Sequence, residues 1–253
     1  MSLASKVGRL VGHYRGSAPC YDSVGQRLID QSGNGMHLPL LAGTPTFAPY
    51  SGSTGLIMRG DTYWGCPIID TVPVVPQPTK CTLVAVVWPK ILGSDVYPFV
   101  QSAERVYAYN GDPAWQAPTD AYGAAGTSTV QPLLEALGSG NANNVRAGTP
   151  SFAASTVYNP GAWNVVQGVF DPDIPQMQIR KDNDAFTVIP IQTGYSLAAM
   201  DDWRLGYKAT PVVTTGGGDF AFAQLMIFNG NMPAENPTDY AALIAALVAN
   251  PTA

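Results

Sequence analysis

The stretch from Asp219 to Gly230 constrains this chain more than any other. Phe220, Phe222 and the apolar run Leu225 to Phe228 carry strong strand character, and Gly216-Gly217-Gly218 leads into them. Asn229-Gly230 closes the run with a turn pair suited to positive φ. Behind it, Tyr240 to Val248 is the one segment with good amphipathic helical spacing. A strand of this strength near the end of a chain made of short apolar runs and turns reads as the central strand of a β-sandwich. The 26 glycines and 22 prolines agree, because they are scattered between apolar runs instead of gathered in one linker. At 253 residues, a single all-β domain spanning 1–253 is the expected organisation, with a loop-rich insertion around 112–150.

Charge narrows the partners. The formal net charge is −5 and only 12% of residues are charged, against a usual ~25%. A phosphate backbone is gripped by clustered cations, and no basic stripe exists here, so nucleic acid is not an expected partner. No apolar run approaches the ~20 residues of a membrane span, so membrane insertion is not expected either. No signal peptide is visible at the N-terminus. That leaves a trimmed chain, a cytoplasmic protein, or a component assembled or released without such a leader. Cys20, Cys66 and Cys81 fit neither a zinc knuckle nor a disulfide framework. They read as free, mostly buried thiols, with one disulfide plus one free thiol as the alternative.

Taken in order, Val7 to Val11 reads as an opening strand, and Asp22 to Asp30 as one weak strand or turn. Asp30-Gln31-Ser32-Gly33-Asn34-Gly35 is a dense turn in which Asp30 and Asn34 can bond nearby backbone. A strand begins directly after it at Met36, Leu38 and Leu40; 45–54 reads as loop and Gly55 to Gly60 as a short strand. Cys66 to Ile69 reads as a strand edge, and the proline-rich Thr71 to Pro78 excludes a central ladder. Thr82 to Trp88, apolar on both faces, is the clearest strand of the first half. Tyr97 to Val100 and Arg105 to Tyr109 follow as strands, Pro132 to Leu137 as a helical turn or two, and Gly138 to Gly148 as a long surface loop. Trp163 to Phe170, Met177 to Arg180, Phe186 to Ile191 and Trp203 to Tyr207 complete the strand set, the middle two as a hairpin turned by Lys181 to Asp184.

The order of these pieces resembles the laminin-G-like or concanavalin A-like lectin/glucanase jelly roll. The resemblance is carried by the "D-x-S-G-N-G" turn at Asp30 to Gly35 with Leu38, by Gly55 to Gly60, and by Thr82 to Trp88 with Pro89-Lys90. Its closing section is Trp163 to Val166, Leu205-Gly206, and Asp219 to Phe228 with Asn229, Met232 and Pro233. The resemblance implies an all-β fold of two packed antiparallel sheets, roughly six or seven strands each, with a short C-terminal helix. It also implies functions ranging from binding glycans, proteins or calcium to cleaving polysaccharides or serving as structure. The Glu-x-Asp-x-x-Glu strand of the glucanase branch has no counterpart: only Glu104, Glu135 and Glu235 exist, none spaced as a pair. The lyase relatives' histidine chemistry has only His13 and His37 to draw on, and His37 reads as a face residue of an early strand. Two histidines assemble no nucleophilic triad.

Candidate ligand contacts are the aromatics in loop-like stretches, Tyr63, Trp64, Trp115, Tyr122 and Tyr158, because sugar rings stack on such faces. Trp88, Trp163 and Trp203 read as core. Calcium is the cofactor expectation, and it needs several oxygens; Asp182 with Asp184, and Asp201 with Asp202, are the chosen ligands among the acidic turns. The competing reading of each cluster is a solvated turn with local capping bonds. Arg59-Gly60-Asp61 is a strand-to-turn boundary more than an adhesion signal.

The function expected is a non-enzymatic recognition module, extracellular or virion-associated, for a glycan or a protein surface, with homo-oligomerisation open. A structural assembly protein of a virion or cell surface is the near rival. A polysaccharide hydrolase or lyase is third, and it would need a groove with Asp or Tyr beside Arg146, Arg180 or Lys181.

Overall fold

Two apolar runs far apart in the chain lie side by side and set the architecture. The computed structural model describes residues 3–42, 44–50, 53–58, 63–67, 80–89, 100–103, 134–136, 145–147, 162–171, 173–174, 176–190, 202–205 and 220–252. In chain order the elements begin with helix α1 (Leu3–Val7), β1 (Leu10–Arg15), β2 (Tyr21–Asp22), β3 (Arg27–Leu28) and β4 (Leu38–Ala42). Next come β5 (Thr46–Tyr50), β6 (Ser53–Met58), β7 (Tyr63–Pro67), β8 (Cys81–Pro89) and β9 (Val100–Ala103). The remainder is β10 (Leu134–Ala136), β11 (Val145–Ala147), β12 (Asn164–Asp171), β13 (Gln176–Lys181), β14 (Thr187–Pro190), β15 (Asp202–Leu205) and β16 (Phe220–Asn229). Helices α2 (Met232–Glu235) and α3 (Pro237–Ala249) close it.

The result is an antiparallel β-sandwich. Among the described residues each sheet has eight strands, the first ordered β14-β13-β12-β8-β16-β6-β5 with β1 also on β16, the second β11-β10-β9-β15-β7-β4-β3-β2. Strand β16 pairs with β8 along its length, while its other edge is shared: Phe220 to Phe222 meet β6, and Gln224 to Phe228 meet β1. A register shift between Phe222 and Gln224 marks the change of partner. Val84, Val86, Val165, Met226 and Phe228 face outward against Ala4 and Val7 of α1 and the stripe Tyr240, Leu243, Ile244 and Leu247 of α3. That stripe has the i, i+3, i+4, i+7 spacing of one helix face. The alternate residues Leu83, Ala85, Leu225 and Ile227 are buried on the opposite face, and Leu28 and Leu38 of the second sheet are buried too.

The strand expectations for residues 82–88, 177–180 and 220–228 are borne out, as are those for 163–170, 186–191 and 203–207 over 164–170, 187–190 and 203–205, with 191, 206 and 207 outside the described residues. Others need correction. The opening strand starts later than Val7: α1 ends there, Gly8 and Arg9, at φ +82° and +52°, turn the chain, and only Leu10 and Val11 of the expected stretch belong to β1. Ala4 and Val7 share a helical face, a spacing that the Val7/Val11 reading overlooked. The supposed loop at 45–54 holds the β5–β6 hairpin, whose prolines are tolerated because β5 lies at the sheet edge. Residues 22–30 carry two short strands instead of one. Strand β7 is interior, between β4 and β15, and not an edge. The helical turn expected at 132–137 is β10, and Val145–Ala147 of the expected surface loop is β11; both extend the second sheet. The expectations for 71–78, 105–109 and most of 112–150 lie outside the described residues.

The Asp30–Gly35 turn works as a clamp. Asp30 is 7% exposed, and its carboxylate accepts from His13 N (3.0 Å), Ser32 N (2.9 Å), Ser32 Oγ (2.7 Å) and Met36 N (3.1 Å). Asn34 Nδ2 donates to Leu10 O and Val11 O, at 2.8 and 3.0 Å. Gly33 and Gly35, at φ +90° and +73°, let the loop double back so that its side chains reach β1. Asp30→Ala strands several buried donors at once and should destabilise the chain by about 2–4 kcal/mol, read as a lower urea midpoint. A loss within about 0.5 kcal/mol would mean the clamp is replaceable.

His13 offers a second check. Burial holds its imidazole below the usual 6.5 and Arg15 adds to this, while the Gln224 hydrogen bond at 3.1 Å and Asp30 oppose it. The folded chain therefore takes up this proton less readily than the unfolded one. Stability is full above about pH 6.5 and declines as pH falls from there toward the folded pKa. His13→Gln should flatten that decline, as urea midpoints at about pH 7.5 and pH 5 would show; equal slopes in both proteins would assign the decline to other groups.

Candidate functional site

On the outer face of the first sheet, α3 covers β8 and β16 and leaves β13 only partly covered. The pairing Gln167↔Arg180 and Val169↔Gln178 puts both β13 side chains on that face. Gln167 is fully buried and organises the area: its Nε2 donates to Asp182 O at 2.6 Å, and its Oε1 accepts from Arg180 Nε at 2.7 Å and from Tyr240 Oη at 3.1 Å. The Arg180 guanidinium lies 4.3 Å from the Phe186 ring centroid and 5.9 Å from that of Tyr240. Burial pushes the Tyr240 phenol well above its usual range, with Arg180 opposing, so Tyr240 stays a hydroxyl at ordinary pH.

Between these side chains and the C-terminal helices lies a cleft of about 430 Å³. One wall is Gln178, Arg180, Phe186 and Ile174; the other is Asn231, Pro233, Pro237 and Ala241, with Tyr240 between them. Arg180 is the one charged residue in the lining among the described residues. The cleft thus offers a fixed cation, an amide and apolar walls. Among the described lining residues there is no pair of carboxylates of the kind glycoside hydrolysis uses.

Beside the cleft, the β12–β13 connection is tied down by charge. Asp171 is 4% exposed; its Oδ2 accepts from Asn231 Nδ2 at 2.9 Å, its Oδ1 from Asp173 N at 3.1 Å, and Lys80 Nζ is 3.6 Å away. Lys80 also pairs with Asp173. Thr82 Oγ1 donates to Gly230 O at 2.7 Å and accepts from Met232 N at 3.0 Å, fixing where α2 starts.

The expected site residues do not gather here. Tyr63 and Trp64 are not in a loop but in β7, where Trp64 pairs with Leu40 and Leu205; the Tyr-Trp pair suits a strand. Trp115, Tyr122, Tyr158 and Asp201 lie outside the described residues. Asp202 is in β15, opposite Pro67 and Ala103 on the second sheet, while Asp182 and Asp184 turn the β13–β14 hairpin of the first. Asp182 sits at φ +50°, its Oδ1 accepting from Val165 N at 2.8 Å and its N–H donating to Val165 O at 2.7 Å. Burial raises its carboxyl, against the pull of Val165 N–H and Lys181. Among the described residues no three His, Cys, Asp or Glu side chains gather as metal ligands. His37 precedes β4 and accepts from Asp30 N at 3.1 Å through Nδ1, and Cys20 is a half-buried free thiol.

Sequence reasoning did not single out Gln178, Phe186 or Tyr240 as ligand contacts. The period-two pattern of Met177 to Arg180 did place Gln178 and Arg180 on one face. Tyr240, some sixty residues of sequence away from Arg180, carried no such signal.

Neither a protein-family model nor a curated protein sequence matches this chain. Its fold does match solved structures. The binding domain of Paraclostridial Mosquitocidal Protein 1 aligns with a TM-score of 0.62 at 10% identity, over 97% of this chain and 53% of that one. Botulinum neurotoxin type C, which enters cells in dependence upon interaction with two ganglioside molecules, aligns at 0.59 and 10% identity over the same shares. The binding domain of botulinum neurotoxin DC, solved with rat synaptotagmin II, aligns at 0.56 and 10% identity, over 96% and 52%. The chain spans about half the length of these structures. At such identity the likeness establishes the fold alone, a two-sheet β-sandwich.

Asp182 separates a structural role from a cation-binding one. Asp182→Asn keeps the acceptor for Val165 N and tolerates positive φ, so its thermal midpoint should stay near that of the parent. Asp182→Ala loses both and should cost about 1–3 kcal/mol in urea unfolding. Equal destabilisation by the two would show that the charge itself holds the turn.

Proposed function

We propose that this chain is a non-enzymatic recognition module whose ligand is a glycan. The observation that carries the reading is the cleft beside α3. There a guanidinium lies over the Phe186 ring and near Tyr240, next to an amide and a wall of prolines and alanines. Such a lining orients a hydroxyl-rich ring through a few polar groups and packs its C–H face against apolar atoms. The cleft does set Tyr240 beside Arg180, the pairing a lyase would need, but the Tyr240 hydroxyl donates to Gln167 Oε1 and burial keeps it protonated, which favours binding over proton abstraction. Support also comes from the fold shared with botulinum neurotoxin type C, whose cell uptake depends on gangliosides. An extracellular or virion-associated setting fits this reading.

A protein surface is the second reading. It is favoured by exposed Val188 on β14, which ends the first sheet among the described residues, and by exposed Ile174 nearby. The structure solved with rat synaptotagmin II gives the same fold a protein ligand. Homo-oligomerisation through that edge belongs to this reading.

A glycan-array screen of the purified chain, run with millimolar calcium and again with EDTA, tests the first proposal. The expected outcome is binding to a restricted glycan set. Loss of binding in EDTA and on Asp202→Ala would add calcium to the reading, whereas loss on Trp64→Ala or Trp115→Ala would move the site to those aromatics. Silence in both buffers, with a defined oligomer in solution, would favour the assembly reading.

A further inference from the structure

Arg180 is a cation that the described part of the chain does not neutralise. Its Nε donates to the neutral Gln167 amide oxygen, and its Cζ lies over the Phe186 ring at 4.3 Å and 5.9 Å from the centre of the Tyr240 ring. The carboxylates of the neighbouring strands and turns are engaged elsewhere. Asp171 and Asp173 are answered by Lys80, Asp182 by Val165 N–H, and Asp184 lies beside Lys181. An arginine held over one ring, by its Nε bond to Gln167 and by a hydrogen bond with Tyr240 escapes much of the disorder that weakens most surface ion pairs. Planar guanidinium matches a planar carboxylate through paired N–H···O bonds. Partial withdrawal from water strengthens that attraction.

From this geometry we infer that the cleft takes an acidic sugar residue, its carboxylate on Arg180 and its apolar ring face against Pro233, Pro237 and Ala241. The inference rests on the glycan-binding reading above and names the ligand class within it. At about 430 Å³ the cleft lies near the small end of ligand sites, roughly 300–1,000 Å³, which suits one ring with its substituents. Gln178, an amide that can both donate and accept, lines the same wall as Arg180 and stands where ring hydroxyls would lie.

Calorimetric titration of the full chain tests this with two carboxylate sources, glucuronate-terminated and sialate-terminated oligosaccharides, each beside its carboxyl-reduced counterpart. At least one acidic form should bind, and reduction to the alcohol should weaken it roughly tenfold or more. Added salt should weaken the acidic form while sparing the reduced one. Arg180→Lys keeps the charge but loses the fork and should weaken binding by a similar factor. Ala241→Trp fills the cleft from an exposed helix position; it should abolish binding while leaving the melting temperature near that of the parent.

Equal affinity for acidic and reduced sugars overturns the carboxylate anchor and leaves the glycan reading intact. Acidic sugars that bind both variants as tightly as the parent place the site elsewhere. A glutamate-rich peptide that binds through Arg180 while acidic sugars do not would replace the sugar by a protein ligand. No response to any sugar, acidic or neutral, sinks this inference and the glycan reading together.

Discussion

The backbone of β16 is the constraint on which the first sheet depends. A buried strand must satisfy donors and acceptors on both edges, and β16 does so with three partners drawn from β1, β6 and β8. The register of β16 against β8 shifts at Ala223, level with the point where its other edge passes from β6 to β1. Because β1 fills the second half of that edge, the opening of the chain is locked against its last strand. The Asp30 carboxylate then ties β1 of the first sheet to the turn between β3 and β4 of the second, so one buried acid joins the two sheets.

The outer face of the same sheet shows a different economy. Gln167, Asp171, Asn231 and Thr82 are buried polar residues, each satisfied by a hydrogen bond to another element. An apolar face would let α3 slide along the sheet. These bonds admit one placement, because any other leaves a desolvated polar atom unpaired. Asn236 does the same for α1, its Nδ2 donating to Val7 O at 3.2 Å and so covering the carbonyl end of that short helix. The cleft exists because α3 is pinned at Gln167 and goes no further toward β13.

Much of the fold was legible because long apolar runs have few options. Phe220 to Phe228 and Thr82 to Trp88 were readable as central strands, and Tyr240 to Val248 as a helix, from periodicity alone. The failures came where tertiary pairing overrode local signals. Proline and glycine in 45–54 suggested a loop, yet an edge position accommodates Pro49 in β5. The three residues of β10 are too few to show a period and are strands only because β9 and β11 flank them. The candidate site was less legible still. Acidic turns such as Asp182–Asp184 look like metal ligands in sequence, since nothing there reveals that Val165 N–H takes the carboxylate oxygen. Arg180, Phe186 and Tyr240 meet only after the sheet and helix have docked.

The placement of β16 has a bearing on how the molecule comes together in time. Strands β1, β6 and β8 are all finished long before residues 220–229 leave the ribosome, and none of the three can complete its hydrogen-bonded neighbourhood without them. During synthesis they must wait with open edges, an arrangement of high contact order that is slow to close and exposed to aberrant pairing. Strand β16 is made after every other described strand of the first sheet, so a nascent chain halted shortly before Phe220 would hold those strands and no finished first sheet.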